Sequence, residues 1–409
     1  MATLPATDPP TTAALPDIGR PCVLLKVGEI VLKGRNRKMF ERKLRNNLRV
    51  ALDEVGPVTI RQRYGVVLLE PGEGVDPLAV AQRAKHVIGL VWVHPAVRVA
   101  KTAEAAADAA VQLLAGRTKG AFTVRARRRD KRFPMTSGEL AAYIGTEVQR
   151  AHDMPVNLSH PDIEVRVEVD HDEILVFTEA LPGPGGLPVG VSGRALALLS
   201  GGIDSPVATY RMMQRGLWCD LLHFSGMPQT GPESIYKAYA VQRLLGKYAA
   251  GLRLWVIPFG KAQQQLASAG TGRLQIIAQR RIMLKTAEQL AHRERLQALV
   301  TGDCLGQVSS QTLSNMTTLH DAVQMPVLRP LVGYDKVEII REARKLGTLA
   351  ISELPDEDCC SLLTPPYVAT SSKPADLREI ERRVDATDMV DALVESAQLY
   401  EVESPAPTT

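Results

Sequence analysis

Apolar and polar residues alternate along this chain with two different periods. Phe40, Leu44 and Leu48 fall four apart, the spacing of one helical face, and predict a helix to about Leu52 with Asn36 as its cap. Short apolar runs bounded by turn residues predict strands at 23–27, 58–64 and 66–69, and 77–87 reads as a second helix. An Ala-rich helix follows at 102–114, then a strand at 122–125 and a helix at 138–149 capped by Ser137. Ile163, Val165, Val167 and Val169 alternate with charged residues, which predicts a strand with one wet face and a hairpin partner at 174–177. Beyond residue 193 the order changes. Strands at 196–199, 220–224, 252–257 and 298–301 alternate with helices at 207–215, 234–248 and 273–293. The first half is thus α+β, and the second an open parallel α/β sheet whose ligands belong at the carboxyl ends of its strands.

Composition sets the boundaries. Residues 1–20 are rich in Pro, Thr and Ala without periodicity and read as a disordered tail. The run from Leu181 to Gly190 alternates Pro and Gly, so 181–193 is expected to be a hinge. It separates two small units, 21–76 and 77–180, from a larger one at 194–400, with a tail at 401–409. The five cysteines are few for 409 residues, and no Cys-x-x-Cys occurs, which argues against a disulfide scaffold and a zinc or iron–sulfur site. No signal peptide or membrane-length apolar run is evident, so a soluble cytoplasmic protein without membrane contact is expected. Net charge is only +4, but its distribution is uneven. Six of the eight residues from Arg125 to Arg132 are basic: Arg125, Arg127, Arg128, Arg129, Lys131 and Arg132. That density favours contact with a nucleic-acid backbone over a mere solubility patch. Lys33 and Arg37 open a second basic stretch, whose face is either solvated or set against phosphate.

The most informative chemistry lies at Ser200-Gly201-Gly202-Ile203-Asp204-Ser205, after an apolar run. The pattern predicts a strand, a tight turn whose two glycines allow positive φ and a close approach of phosphate oxygens, and a helix capped by Ser205 with Pro206 first inside it. Such a helix start offers unpaired N–H groups to an anion. No Walker lysine motif is present. The pattern resembles instead the PP-loop of ATP pyrophosphatases, which cut ATP between its α and β phosphates.

Other stretches extend the match: Gly28-Glu29-Ile30 with Leu32-Lys33-Gly34, the basic run with Phe133 and Ser137, Thr301-Gly302-Asp303-Cys304 through Thr312, Leu328-Arg329-Pro330-Leu331, and Asp335-Lys336. Together they resemble the tRNA 4-thiouridine synthetase family (ThiI, tRNA uracil 4-sulfurtransferase). The resemblance implies a ferredoxin-like domain, a THUMP RNA-binding domain and a PP-loop domain. It places ATP at Leu198, Leu199, Ser200, Gly201, Gly202, Asp204, Ser205, His223, Phe224, Arg280, Gly302 and Gln311. Asp204 is expected to hold Mg²⁺ beside the triphosphate, and Lys336 matches a functional lysine of the family. Gly302 is expected to leave room for ligand. Cys359 aligns with the sulfur-carrying cysteine, and Cys360 and Cys304 are candidate second thiols. The resemblance also implies tRNA, a cysteine desulfurase and a ThiS-like sulfur carrier as partners, uridine 8 as target, a link to thiamine synthesis, and a homodimer. Asp356, Glu357 and Asp358 beside Cys359 disfavour its thiolate. Another RNA thiolation, or RNA binding without catalysis, are the competing readings.

Overall fold

The structure, a computed structural model, describes residues 19–63, 65–117, 120–355 and 367–400. The chain divides into two compact units, one of residues up to 37 together with 45–185, the other of 38–44 together with 186 onward.

The first runs β1 (Arg20–Val27), α1 (Arg37–Leu52), β2 (Val58–Arg63), β3 (Val66–Pro71), α2 (Pro77–Ala84), β4 (Leu90–Val99), α3 (Ala103–Leu113), β5 (Phe122–Arg128), α4 (Ser137–His152), β6 (Ile163–Val169), β7 (Ile174–Phe177) and β8 (Leu181–Pro182). Its strands make a single sheet in the order β2–β3–β1–β4–β7–β6–β5, with β8 added on β4. Only β5 and β6 pair in parallel. β4 joins β1 on one side and β7 on the other, so the sheet continues without a break past residue 77. Tyr64, placed in a strand by the sequence, lies outside the described residues.

The two-residue period of the strands sorts this sheet into two unlike faces. On one, Val97, Phe122, Val165, Val167 and Val176 pack with α3 and α4. On the other lies a small cluster of Cys22, Leu24, Val66, Leu68, Ala96, Leu175 and Phe177, with charged side chains interleaved on the same face. Arg98 pairs with Glu70 and with Glu173, Arg63 with Asp170 and with Glu173, and Lys26 with Glu168. Burial pushes the Cys22 thiol up to about 12, so it serves as a small apolar side chain.

Two expected caps are corrected. Asn36 makes no side-chain cap bond, because it closes a 3₁₀ turn (Gly34–Asn36) that feeds directly into α1. Thr136, not Ser137, caps α4, in a reciprocal box with Glu139.

The second unit runs β9 (Arg194–Leu198), α5 (Asp204–Gln214), β10 (Trp218–Ser225), α6 (Glu233–Gly246), β11 (Leu254–Pro258), α7 (Gly260–Ser268), α8 (Gln275–Arg293), β12 (Leu299–Val300), α9 (Leu313–His320), β13 (Val327–Leu328), α10 (Lys336–Leu346), α11 (Thr348–Ser352), α12 (Pro374–Arg383), α13 (Ala386–Glu395) and β14 (Gln398–Tyr400). The sheet order is β13–β12–β9–β10–β11–β14, parallel except for β14. The sequence pattern missed the edge strands β13 and β14, which are two and three residues long. The chain leaves β9 toward β10 and β11, then returns to build β12 and β13 on the other flank. This reversal opens a crevice at the carboxyl end of β9. No helix among the described residues is long and apolar enough to cross a membrane.

One ionic group ties the helices together. Arg281 of α8, 1% exposed, donates to Glu381 of α12 at 2.6 Å, to Asp321 at 3.1 Å and to the Thr318 carbonyl. Lys285 reaches the other Glu381 oxygen at 2.7 Å. Burial works to raise the Glu381 carboxyl, but Arg281 and Lys285 outweigh it and hold it below the ordinary value. Its contribution to stability is therefore present above the unfolded carboxyl range and is lost as pH falls. Arg281→Met leaves that carboxylate buried and poorly paired. Urea unfolding of the variant should show a loss of about 3–5 kcal/mol at neutral pH, narrowing as the pH is lowered toward about 4.

Candidate active site

The Gly-Gly loop occupies the crevice at the end of β9. Leu199 is 2% exposed and its N–H donates to the Leu222 carbonyl at 2.7 Å. His223, also buried, lies behind it. Its Nδ1 carries the proton, since the Leu199 carbonyl 2.9 Å away can only accept, and its Nε2 meets the Ser234 hydroxyl at 3.1 Å. His223 thus fixes the strand end from beneath. Phe224 packs edge-on against Phe259, ring centres 5.5 Å apart, and Leu198 is half-buried beside it.

The loop corrects the expected cap. α5 starts at Asp204, behind Ile203, and has no side-chain cap. Ser205 and Pro206 therefore sit second and third inside the helix. The Ser205 hydroxyl accepts from the Ser200 N–H at 2.9 Å and lies 3.1 Å from the Ser200 hydroxyl, which accepts from the Gly202 N–H at 3.3 Å. Ser205 is spent on folding the loop back, so the helix start keeps its N–H groups free of a side-chain cap. Neither Gly201 nor Gly202 uses the positive φ that glycine allows. A Cβ on Gly202 would meet only the Ser200 hydroxyl, at 3.4 Å. The protein itself does not require glycine there.

Gly302 is different. A Cβ on it would stand 2.8 Å from the Ser205 nitrogen, 2.9 Å from its Cα and 3.0 Å from the Asp204 carbonyl carbon. Its missing side chain lets two main chains touch, where the sequence suggested room for ligand.

Charges gather on this turn. Asp204 accepts from Lys336 at 2.7 Å on one oxygen and from Gln307 at 3.2 Å on the other. Lys336 is the first residue of α10, set there by a capping box between Asp335 and Glu338. Next to Gly302, buried Asp303 accepts from Arg280, from the Thr301 hydroxyl at 2.9 Å and from Arg329 at 3.2 Å. Burial works to raise the Asp303 carboxyl, yet Arg280, Thr301 and Arg329 keep it below the usual range. Three buried polar atoms of this group find no partner among the described residues: Arg329 Nη2, Gln307 Oε1 and Gln311 Oε1. Such orphans cost about 1–3 kcal/mol each unless a partner beyond the described residues satisfies them.

Sequence reasoning left Gln307, Asp303 and Arg329 without a role, although all three lie in stretches it singled out. Cys304 is 4% exposed, and its thiol donates to the Tyr334 carbonyl at 2.9 Å. Burial, then Asp204, push that thiol above its ordinary value, with Lys336 partly opposing. Its surroundings therefore favour a closed thiol over a nucleophile. Cys359 and Cys360 lie outside the described residues.

The basic run divides by strand parity. Arg125 and Arg127 face outward from β5, Arg125 half-tied to Glu164 at 3.3 Å. Arg127 and Lys131 make no ion pair among the described residues. Arg128 points the other way and donates to the carbonyls of Met135 at 2.7 Å and Phe133 at 3.2 Å. Arg129 lies 3.5 Å from Glu168, and Arg132 holds Asp130 at 3.1 Å. Lys33 pairs with Glu29 at 3.0 Å, and Arg37 begins α1.

Comparison with known sequences and structures settles the family. A relative from Nocardia farcinica, described as a probable tRNA sulfurtransferase, is 55% identical over 92% of each chain. The chain belongs to the ThiI family. Residues 190–386 match the family described as thiamine biosynthesis protein (ThiI), residues 22–93 the ThiI ferredoxin-like domain and residues 100–179 the THUMP domain. A Moorella thermoacetica relative, also described as a probable tRNA sulfurtransferase, is 40% identical over 94% of this chain and 98% of its own. Among solved structures, a 4-thiouridine synthetase–RNA complex with bound ATP superposes with a TM-score of 0.86 and 29% identity, covering 94% of this chain and all of that one. The ThiI fold class read from the sequence is therefore the observed one: ferredoxin-like and THUMP domains ahead of a parallel-sheet PP-loop domain.

Two glycines in this site should behave oppositely. Gly302→Ala forces backbone atoms apart and should destabilise the second unit by about 1–3 kcal/mol. Gly202→Ala should leave its melting temperature within about 2 °C of the parent. Calorimetric scans of the two variants provide the check.

Proposed function

We propose that this chain is an ATP-dependent tRNA sulfurtransferase that converts a uridine to 4-thiouridine, with uridine 8 as the target. One observation carries the reading. Three segments meet at a single helix start: the Ser200–Ser205 loop, the Gly302–Gln311 stretch about a hundred residues on, and Lys336. Beside them Gln307 Oε1, Gln311 Oε1 and Arg329 Nη2 are buried with no partner among the described residues. The family relatives described as tRNA sulfurtransferases and the ATP-bound synthetase–RNA structure support the same assignment.

In this reading ATP lies over the Gly-Gly loop, where Gly202 lets phosphate oxygens close to the backbone. The α5 N-terminus, Lys336 and the remaining donors of Arg280 balance its charge. The uracil O4 attacks the α-phosphorus and pyrophosphate leaves. The oxygen, a poor leaving group as carbonyl, is now part of a good one. The terminal sulfur of a Cys359 persulfide attacks C4, and AMP departs with the oxygen. A second thiol then attacks the Cys359 sulfur, giving 4-thiouridine and a disulfide. Because Cys304 is buried and held as a thiol, the second thiol in this scheme is supplied from solution or a partner. A cysteine desulfurase loads the sulfur. Asp204 was the residue expected to hold Mg²⁺. Both of its oxygens are engaged, one by the Lys336 ammonium and one by Gln307, so in this arrangement it offers no free carboxylate to a cation.

Incubating unmodified tRNA with the chain, ATP, a cysteine desulfurase and cysteine should give 4-thiouridine absorbance together with pyrophosphate. Cys359→Ser should abolish the thionucleoside and spare ATP-dependent pyrophosphate release. Full thiolation by that variant would sink the sulfur-carrier assignment.

The THUMP unit presents the RNA in this scheme, through the outward cations of β5. Arg127→Ala should weaken tRNA binding and flatten the slope of log affinity against log salt by about 1. Arg128→Ala should instead cost about 1–2 kcal/mol of stability with the salt slope unchanged. Filter-binding titrations at several salt concentrations separate the two.

A further inference from the structure

Gln307 has chemistry that a bound nucleotide leaves unexplained. Asp204 can only accept, so the atom of the Gln307 amide that meets it at 3.2 Å is the nitrogen. The amide oxygen is left over. It is buried and meets no donor among the described residues. A stranded carbonyl oxygen of this kind points to a ligand that carries an N–H or O–H.

ATP does not supply that donor at this place. Asp204 opens α5 and is also held by Lys336 at 2.7 Å. Gln307 therefore stands where the proposed triphosphate lies, and phosphate oxygens only accept. The donors of ATP are on its adenine and ribose, beyond the phosphates. The other substrate has one donor on its ring, the uracil N3–H. N3 and O4 are both bonded to C4, so when O4 meets the α-phosphorus the N3–H is brought beside the phosphates as well. The surroundings suit a base. Leu305, Val308, Val332 and Val337 are all exposed. Leu305 and Val308 stand on either side of Gln307 in sequence, the Leu305 N–H donates to the Val332 carbonyl at 3.2 Å, and Val337 follows Lys336. Four aliphatic side chains are thus open to solvent on the two segments that grip Asp204. Enzymes that act on an extruded base hold it against apolar side chains and read its polar edge.

We propose that Gln307 selects the target base: its side-chain oxygen accepts the N3–H of the uracil while its nitrogen keeps hold of Asp204. Cytosine carries no hydrogen on N3 and would leave the oxygen stranded. The bond strengthens during adenylation. As the O4–phosphorus bond forms and the bond to the departing pyrophosphate breaks, positive charge develops over C4 and N3, and a fixed oxygen at N3–H stabilises it. Neutral Gln307 does not take the proton. It stays on N3 through to 4-thiouridine, which also carries N3–H. The inference rests on the sulfurtransferase reading.

The test crosses two substrates with three full-length proteins and reads tRNA-dependent pyrophosphate release from ATP. The tRNA carries uridine or 3-methyluridine at the target position; the methyl group removes N3–H and leaves O4. The parent should lose about tenfold or more in kcat/KM on the methylated tRNA. Gln307→Ala should lose a similar factor on uridine, and its penalty for the methyl group should shrink to within about threefold. Gln307→Glu keeps an acceptor but cannot donate to Asp204, so it should be slower on both substrates and retain the methyl penalty. Equal use of the two tRNAs by the parent, or a methyl penalty of the same size in the parent and Gln307→Ala, overturns the proposal. So does a raised Mg²⁺ requirement in Gln307→Ala with the penalty unchanged, which would make the oxygen a cation ligand. Should Gln307→Ala fail to fold, the parent and Gln307→Glu decide, and loss of the penalty in Gln307→Glu overturns the proposal. A parent that thiolates uridine but accepts 3-methyluridine equally sinks this inference alone. A parent that makes no 4-thiouridine with ATP, a cysteine desulfurase and cysteine overturns the sulfurtransferase reading itself, and this inference with it.

Discussion

The second unit depends on one close approach, that of Gly302 to the backbone of Asp204 and Ser205. Two strands of a parallel sheet end side by side there, and the chain after one must turn against the helix after the other. Any side chain at 302 would hold them apart. With hydrogen in its place, the stretch after β12 closes on the start of α5. Gln307 then reaches Asp204, and Asp303 comes to lie between Arg280 and Arg329. The charge pattern of the crevice is a consequence of that contact.

Several buried carboxylates among the described residues are answered by charge. Asp303, Glu381 and Glu168 are all taken out of water, and each is met by two basic groups. Such groupings contribute little net stability over an apolar core, but breaking one leaves a carboxylate stranded. They therefore specify how elements are placed more than how tightly they hold. Around Asp303 the same arrangement holds two guanidinium groups in fixed positions beside the turn after β12.

The parts legible in the sequence were those written locally. The strand, glycine pair and hydroxyls of residues 196–205 are contiguous, and their chemistry could be read in one glance along the chain. Local rules also misled there. Ser205 has the residue type of a cap, and the glycines the type of a tight turn, but the hydroxyl found Ser200 first and the turn needed no positive φ. The basic run showed a similar limit. Arg127 and Arg128 are equivalent as composition and opposite as structure, because a strand turns successive side chains to opposite faces. What no local pattern could show were pairings across long separations, such as Lys26 with Glu168, 142 residues on, or Asn315 with Ala369. These emerge only when topology sets the partners side by side.

β4 has a consequence of another kind. It supplies a strand to the ferredoxin-like half of the first sheet and to the THUMP half as well, paired to β1 along most of its length and to β7 over Val97–Val99. Removing either half would expose main-chain donors and acceptors on the other. In mechanical terms the two modules are therefore one body, and a cut between them would strip a strand of its partners in a way that a cut at the glycine–proline stretch would not.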